Sequence, residues 1–243
     1  IMKGRMIVLD HVQGLEAAAY LVDGQLDDLL VDDTDAPRPG AIYRAICDRP
    51  IKGQGGMMLR LPEGGTAFLR QGRGLSPGQA MLVQGTGYSE EGKAVPVTDR
   101  VLFKSRYAIV TPGKPGLNIS RQITDEDARD DLRAVAHEVH DDTYGLILRS
   151  PCEGADEAEI ADDILAMQDM ARAVLDDAEG KQPEALTEGD GPHTVAWREW
   201  TGAAEVITDA GSFEHLGVLD QIDALDDAKI TMGESTMYVE PTR

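Results

Sequence analysis

A chain of 243 residues and 26.2 kDa has room for one large or two to three small domains with cores of their own. Apolar residues at 42% with aromatics at only 5% describe a soluble globular interior of Leu, Val, Ile, Ala and Met, without an apolar run near the length of a membrane span or a secretory h-region. The net charge of −21 argues against nucleic acid on average, and the two cysteines, Cys47 and Cys152, exclude a disulfide framework or a cysteine zinc site within the chain and fit a reducing cytoplasm.

In chain order, "RMIVLDHVQG" and "EAAAYLVDGQLDDLLVDD" predict three strands divided by Gly14 and by Asp23-Gly24, a meander too small to close a domain alone. "DAPRPG" at 35–40 is a linker-like break. From Ala41 to about Tyr107 come the strand candidates "AIYRAIC", "GGMMLRL", "TAFLRQ", "AMLVQGTGY" and "VLFKSRYAIV". Gly- and Pro-rich turns separate them, the pattern of a small Greek-key barrel such as an OB-fold. The chain then turns helical. "TDEDARDDLRAVAHEVHDD" opens with Thr124 and Asp127 at capping-box spacing and sets Leu132, Val135 and Val139 on one face. A strand "YGLILRS" follows at 144–150, then a helix over roughly 156–178 with Ile160, Ile164, Met167, Ala171, Val174 and Leu175 as its apolar stripe. Residues 180–193, rich in Gly, Pro and Glu, are expected as a surface loop. "AEVITDAG" reads as a strand, "EHLGVLDQIDAL" as a short helix, and "TMYVE" at 236–240 as the start of a strand.

Charge is divided unevenly along this order. Residues 1–36 hold 2 Lys/Arg and 8 Asp/Glu, residues 37–121 hold 13 and 5 (net +8), and residues 122–243 hold 8 and 31. The basic segment coincides with the barrel-like pattern, and it is the candidate for contact with a polyanion. The alternative is clustering on a solvated surface.

The pieces "YLVDGQLDDLLVDD", "GAIYRA", "GKAVPVTDRVLFKSRYAIVTPGKPGLNISRQI", "GLILRSPCEGADEAEI" and "GESTMYVEPTR" resemble, in order and across nearly the whole chain, the ribonuclease E/G family. The resemblance implies an α+β fold in which an RNase H-like subdomain is split by an inserted OB-fold RNA-binding barrel and a small α/β 5′-sensor subdomain. On that mapping, residues 1–36 and 165–231 are the RNase H-like parts, 37–104 the OB-fold module, 105–164 the sensor, and 232–243 the start of a DNase I-like catalytic subdomain. It also implies the activity of an endoribonuclease that hydrolyses single-stranded RNA and senses a 5′-monophosphate. In the family the strand resembling "MYVEPTR" runs into the aspartates that hold Mg²⁺. Catalytic residues and the Mg²⁺ site are therefore expected outside these 243 residues, with no catalytic residue and no metal ligand within them, and the chain is expected to bind RNA without cutting it efficiently. A homo-oligomer is implied where the C-terminal part is present; a membrane partner is not implied.

Site residues follow from the same resemblance. The family's two OB aromatics correspond to Met58 and Phe68, so a thioether replaces one ring, and the family's OB lysine corresponds to Lys93. Ring stacking on splayed bases contributes about 1–3 kcal/mol per base. The bland readings are a barrel-core Phe68 and a solvated Lys93. "LILRS" resembles the strand-end Arg-Thr pair that grips a 5′-monophosphate, which gives Arg149 and Ser150. Arg supplies a planar fork of donors and the hydroxyl one more. Ser105 and Ile109 fall where the family lines that pocket, and Arg121 matches a supporting arginine, while Gln122 stands where a second arginine is usual. Arg149 can also be read as a salt-bridge partner for nearby carboxylates.

Other features read as structural. His137 and His140 stand three apart without a third ligand, and a solvated helix end is the simpler reading. The carboxylates of "DQIDALDD" read as an exposed helix face, and the two cysteines as buried thiols. A non-catalytic RNA-binding or regulatory protein of the same fold is the alternative to the nuclease reading, and an acidic interaction scaffold is a third.

Overall fold

The first sheet follows from alternation and two tight turns. In the computed structural model, which describes residues 4–33, 36–51, 53, 55–89, 92–202, 205–226, 229–232 and 235–238, β1 (Arg5–Val12), β2 (Leu15–Val22) and β3 (Gln25–Val31) form an antiparallel meander. Its hairpins close on residue pairs with left-handed backbones, Gln13-Gly14 at φ 51° and 85° and Asp23-Gly24 at 52° and 81°. That turn geometry matches the twist of paired strands. The described residues fall into two units, Ile1–Asp32 with Pro192–Arg243, and Asp33–Gly191.

The second unit opens with five strands: β4 (Ile42–Ile51), β5 (Gly56–Arg60), β6 (Thr66–Leu69), β7 (Ala80–Gly85) and β8 (Val95–Thr98). They pair in the order β4-β5-β6-β8-β7, and β7 returns to β4, so the sheet closes. Within the barrel β6–β8 is parallel and the other pairs are antiparallel. This is an OB-like barrel. Its interior is Ala45, Cys47, Met57, Leu59, Ala67, Leu69, Val83, Val95 and Val97. The fifth barrel strand is thus "VPVT", not "VLFKSRYAIV" as the pattern suggested. Pro96 disguises it, since proline is uncommon inside strands. Here the missing N–H is tolerated, and the Pro96 carbonyl still accepts from the Thr86 N–H at 2.9 Å.

"VLFKSRYAIV" instead supplies β9 (Phe103–Lys104) and β10 (Ala108–Thr111) of a separate sheet, completed by β11 (Gly116–Ile119) and β12 (Gly145–Leu148) in the order β11-β12-β10-β9. Two helices, α1 (Glu126–Val139) and α2 (Glu157–Asp176), contribute Leu132, Val135, Ile160, Ile164 and Ala171 to a core with Ala108, Val110, Leu146 and Leu148. The α1 cap is Asp125, one residue beyond the Thr124 read from the spacing, because its carboxylate reaches the Asp127 N–H at 3.0 Å. The α2 stripe includes a buried Gln168 that the apolar pattern passed over. Its Nε2 donates to the Val139 carbonyl and its Oε1 accepts from the Asp141 N–H, satisfying the end of α1. His140 is not solvated: its ring is buried, 3.0 Å from the Tyr144 carbonyl, whereas His137 is exposed.

The expected loop at 180–193 contains a strand, β13 (Glu184–Thr187), antiparallel to the start of β4. A buried Arg44 explains its position. Arg44 Nε donates to the Gln182 carbonyl at 2.8 Å, one terminal nitrogen donates to the carbonyls of Asp177 and Glu179 at 2.7 and 3.2 Å, and the other pairs with Glu184. Gly180 leaves room for the guanidinium, since a Cβ there would lie 2.7 Å from Arg44 Nε. The boundary expected at 164–165 falls inside α2, which packs entirely with the second unit.

The first unit resumes with α3 (Pro192–Glu199), β14 (Glu205–Ile207), α4 (Ser212–His215) and α5 (Val218–Asp223). β14 joins β1 in parallel. One cluster packs Val8, Ala17, Ala19 and Leu21 against Phe213 and Val218, another packs Ile7 and Ala18 against Ala196. The single helix read in "EHLGVLDQIDAL" is two, broken at Gly217 with φ 69°. Asp10, buried on β1, accepts from the Phe213 N–H at 2.9 Å. Burial pushes its carboxyl upward, but backbone N–H groups of Phe213, His11 and Gly211 outweigh this and hold it below the ordinary value of 3.8. β15 (Lys229–Met232) and β16 (Ser235–Tyr238) pair as a hairpin, with residues 235–238 exposed. Residues 239–240 of the expected "TMYVE" strand lie outside the described residues.

Replacing Arg44 by Ala leaves several carbonyls and Glu184 without their donor and is expected to cost about 3 kcal/mol in urea unfolding. Glu184→Gln, at a half-exposed carboxylate, is expected to cost under about 1 kcal/mol. Asp10 has a lowered folded pKa, so its contribution is complete above the unfolded value of 3.8 and disappears as pH falls through the folded value. Asp10→Asn is expected to flatten the acid limb of a stability–pH curve measured below pH 4.

Candidate nucleic-acid interface

Period-2 alternation sorts the barrel strands into two faces. Met57, Leu59, Ala67 and Leu69 point inward, while Met58, Arg60, Thr66 and Phe68 lie on the outer face. Met58 and Phe68 are direct cross-strand partners, so the two positions named from the sequence are brought together. Phe68 is not barrel core. Its ring lies across the backbone of Gly56, where a Cβ would come 2.8 Å from Cζ and closer still to Cε2. Glycine at 56 is therefore what allows the ring to lie against the strand. Lys93 is exposed in the connection between β7 and β8. In OB-folds the outer face of the second and third strands, together with the loops flanking strands one and two and strands four and five, carries oligonucleotides. Met58, Phe68 and Lys93 occupy those places.

The second group of named residues gathers at one end of the four-stranded sheet, where the parallel strands β11 and β12 finish. β12 ends in Arg149, whose N–H donates to the Tyr107 carbonyl at 2.8 Å. The Arg149 guanidinium donates to the Ser105 carbonyl at 2.6 Å and the Arg106 carbonyl at 3.2 Å. Ser150 opens a short 3₁₀ turn, Ser150–Cys152. Arg121, exposed, follows Ser120, whose N–H donates to the Leu148 carbonyl at 2.8 Å. Arg149, Ser150, Ser105 and Arg121 thus share one sheet end. Ile109 does not join them there: it sits within β10, opposite Ile147 and Lys104, on the face turned away from the core.

A residue that sequence reasoning missed completes this arrangement. Asp163 of α2 accepts from the Tyr107 N–H at 2.9 Å and from the Ser105 hydroxyl. It therefore holds the turn whose carbonyls orient Arg149. Nothing in "ADDIL" separates Asp163 from its exposed neighbour Asp162, apart from its place one residue before the buried Ile164. Cys152 lies behind the same turn, 3.3 Å from the Tyr107 carbonyl, and burial pushes its thiol up to about 12. A thiol raised this far is held in its protonated form near neutral pH. The Cys47 thiol, inside the barrel, is likewise pushed up by burial. Among the described residues no group of three or more His, Cys, Asp or Glu side chains is assembled to hold a metal ion.

The second unit thus presents Phe68 on the outer face of an OB-like barrel and Arg149, Arg121, Ser105 and Ser150 at one end of its four-stranded sheet. Comparison with known proteins places the chain in a family. The family model described as Ribonuclease E/G family matches residues 103–232, over half the chain. A ribonuclease E of Nostoc sp. is 31% identical over 116 residues, covering 48% of this chain and 17% of that protein. A ribonuclease E of Synechocystis sp. is 26% identical over 191 residues, covering 72% and 28%, and a ribonuclease G of Escherichia coli is 30% identical over 99 residues, covering 41% and 20%. The chain belongs to the ribonuclease E/G family. It spans between 17% and 28% of the length of these relatives.

Asp163→Ala removes the acceptor for two donors of the 105–107 turn and is expected to lower stability by about 1–3 kcal/mol. Asp163→Asn keeps one acceptor oxygen and is expected to recover most of that loss in thermal unfolding.

Proposed function

We propose that this chain is the RNA-gripping part of an endoribonuclease of the E/G type, which holds single-stranded RNA on the barrel and reads a 5′-monophosphate at the end of the neighbouring sheet. The observation that carries the reading is the Met58–Phe68 pair on the outer face of an OB-like barrel, within the one segment of the chain with net positive charge. Bases splay against Phe68 and Met58, and Lys93 meets the phosphate backbone. At the sheet end, Arg149 and Ser150 take the terminal phosphate, Ser105 lines the approach, and Arg121 adds positive charge; Ile109, within β10, takes no part. The carbonyls of Ser105 and Arg106 fix the plane of the Arg149 guanidinium, and a fixed plane favours bidentate phosphate binding.

In this reading the β9–β12 sheet with α1 and α2 is the 5′-sensor. The β14-β1-β2-β3 sheet, an antiparallel meander joined in parallel by a later strand, is the RNase H-like subdomain. Phosphodiester hydrolysis draws on a Mg²⁺ ion to activate water and neutralise developing charge. In this reading the part of the described residues is to bind and orient the strand, with the ion's ligands and any subunit interface elsewhere in the protein. Among the described residues no helix is long and apolar enough to cross a membrane, and a cytoplasmic enzyme acting on RNA is the setting the reading calls for.

Fluorescence anisotropy with single-stranded oligoribonucleotides bearing a 5′-monophosphate or a 5′-hydroxyl tests both contacts. Phe68→Ala is expected to weaken both ligands by roughly tenfold. Arg149→Ala is expected to erase the preference for the monophosphate while leaving affinity for the hydroxyl end unchanged. A monophosphate preference that survives Arg149→Ala would refute the pocket assignment.

A further inference from the structure

One row of the barrel's outer face crosses four adjacent strands in continuous register: Arg49 on β4, Met58 on β5, Phe68 on β6 and Pro96 on β8. Its members differ in what they offer a nucleobase. Phe68 presents a ring whose Cε2 and Cζ lie against Gly56. Met58 is half-buried and unbranched, able to pack beneath a base but without a plane to stack on it. Arg49 is exposed, and it follows a register irregularity between Cys47 and Arg49. A bulge of this kind bends a strand and re-aims the side chain beside it. The result sets a guanidinium in line with the ring rather than on the rim of the face. Strands lie about 4.8 Å apart, so Arg49 and Phe68 stand roughly 10 Å apart along the row, room for successive unstacked bases with the Met58 thioether as the floor between them. Arg60 and Arg70, both exposed, lie off this row.

We propose that Arg49 is a second base platform of the barrel, stacking its guanidinium plane on an unpaired nucleobase of single-stranded RNA next to the base held by Phe68. A guanidinium plane stacks on bases as aromatic side chains do, and it adds a cation–π component that an ammonium cannot combine with a flat face. The chain thereby keeps two stacking positions where only one ring is present. This inference rests on the barrel face being the single-strand site proposed above.

The test is the binding of a 5′-hydroxyl oligoadenylate to the 243-residue chain and to its Arg49→Ala, Arg49→Lys and Phe68→Ala variants, across a salt series. Both Arg49 variants are expected to weaken binding by roughly tenfold. The slope of log affinity against log salt is expected to fall by about one for Arg49→Ala and to be kept by Arg49→Lys, which retains the charge. Thermal unfolding of each variant is expected to match the wild type, since Arg49 is exposed. Wild-type affinity in Arg49→Lys would overturn the proposal, because charge alone would then suffice. Wild-type affinity in Arg49→Ala with a loss in Phe68→Ala would overturn it while leaving the barrel face intact. Wild-type affinity in Arg49→Ala and Phe68→Ala alike would overturn both the proposal and the reading on which it rests.

Discussion

The architecture of the second unit depends on a single buried cation. Arg44 lies inside a run of apolar residues on β4, and its guanidinium spends its donors on the carbonyls of Asp177, Glu179 and Gln182 and on the Glu184 carboxylate. These acceptors belong to the segment that leaves α2 and becomes β13. An ionised group without partners would be far too costly to bury. The segment after α2 is therefore obliged to pass over β4 at this point, and β13 is laid beside β4 as a consequence. Because β4 also pairs with β5 and β7, the same residue ties the helix that holds Asp163 to the strand that anchors the barrel.

The two candidate contact regions are built differently. On the barrel the candidate side chains are placed by register alone: alternate residues of β4, β5 and β6 face outward, and Gly56 leaves room for the Phe68 ring. At the end of the four-stranded sheet, placement is by relay. Asp163 holds the turn at 105–107, the turn's carbonyls hold Arg149, and Arg149 follows directly from a buried strand. A relay of charge-assisted hydrogen bonds fixes a guanidinium more tightly than packing would. Under the proposed function, the first arrangement would meet variable bases and the second a terminal group of fixed shape.

Much of this was legible in the sequence, and the exceptions share a cause. The meander was readable because Gln13-Gly14 and Asp23-Gly24 sit between alternating runs, and α2 was readable because its apolar stripe keeps helical spacing over its full length. The barrel pattern was readable from its Gly-rich turns, although Pro96 concealed the strand that closes it. What local pattern could not show was anything fixed by a distant partner. β13 has four residues and takes its place from Arg44, which stands 140 positions before Glu184. Asp163 takes its role from Ser105, 58 positions earlier. The outward aim of Phe68 follows from register with β5, which separates it from a core position only once the pairing is known.

The parallel pairing of β1 with β14 has a consequence for how the chain is made. Met6 lies opposite Glu205, so β1 cannot acquire this neighbour until the roughly 200 residues between them have been synthesised. Until then the meander exists without α3, α4 and α5, and Val8, Ala17, Ala19 and Leu21 have no cover from Phe213 or Val218. The long intervening segment has local order of its own, with a barrel closed by near neighbours in sequence, and it is free to fold first. Birth order and folding order are then reversed for the two units: the meander emerges before the second unit but is completed after it, and its apolar strands are the ones a nascent-chain chaperone would meet.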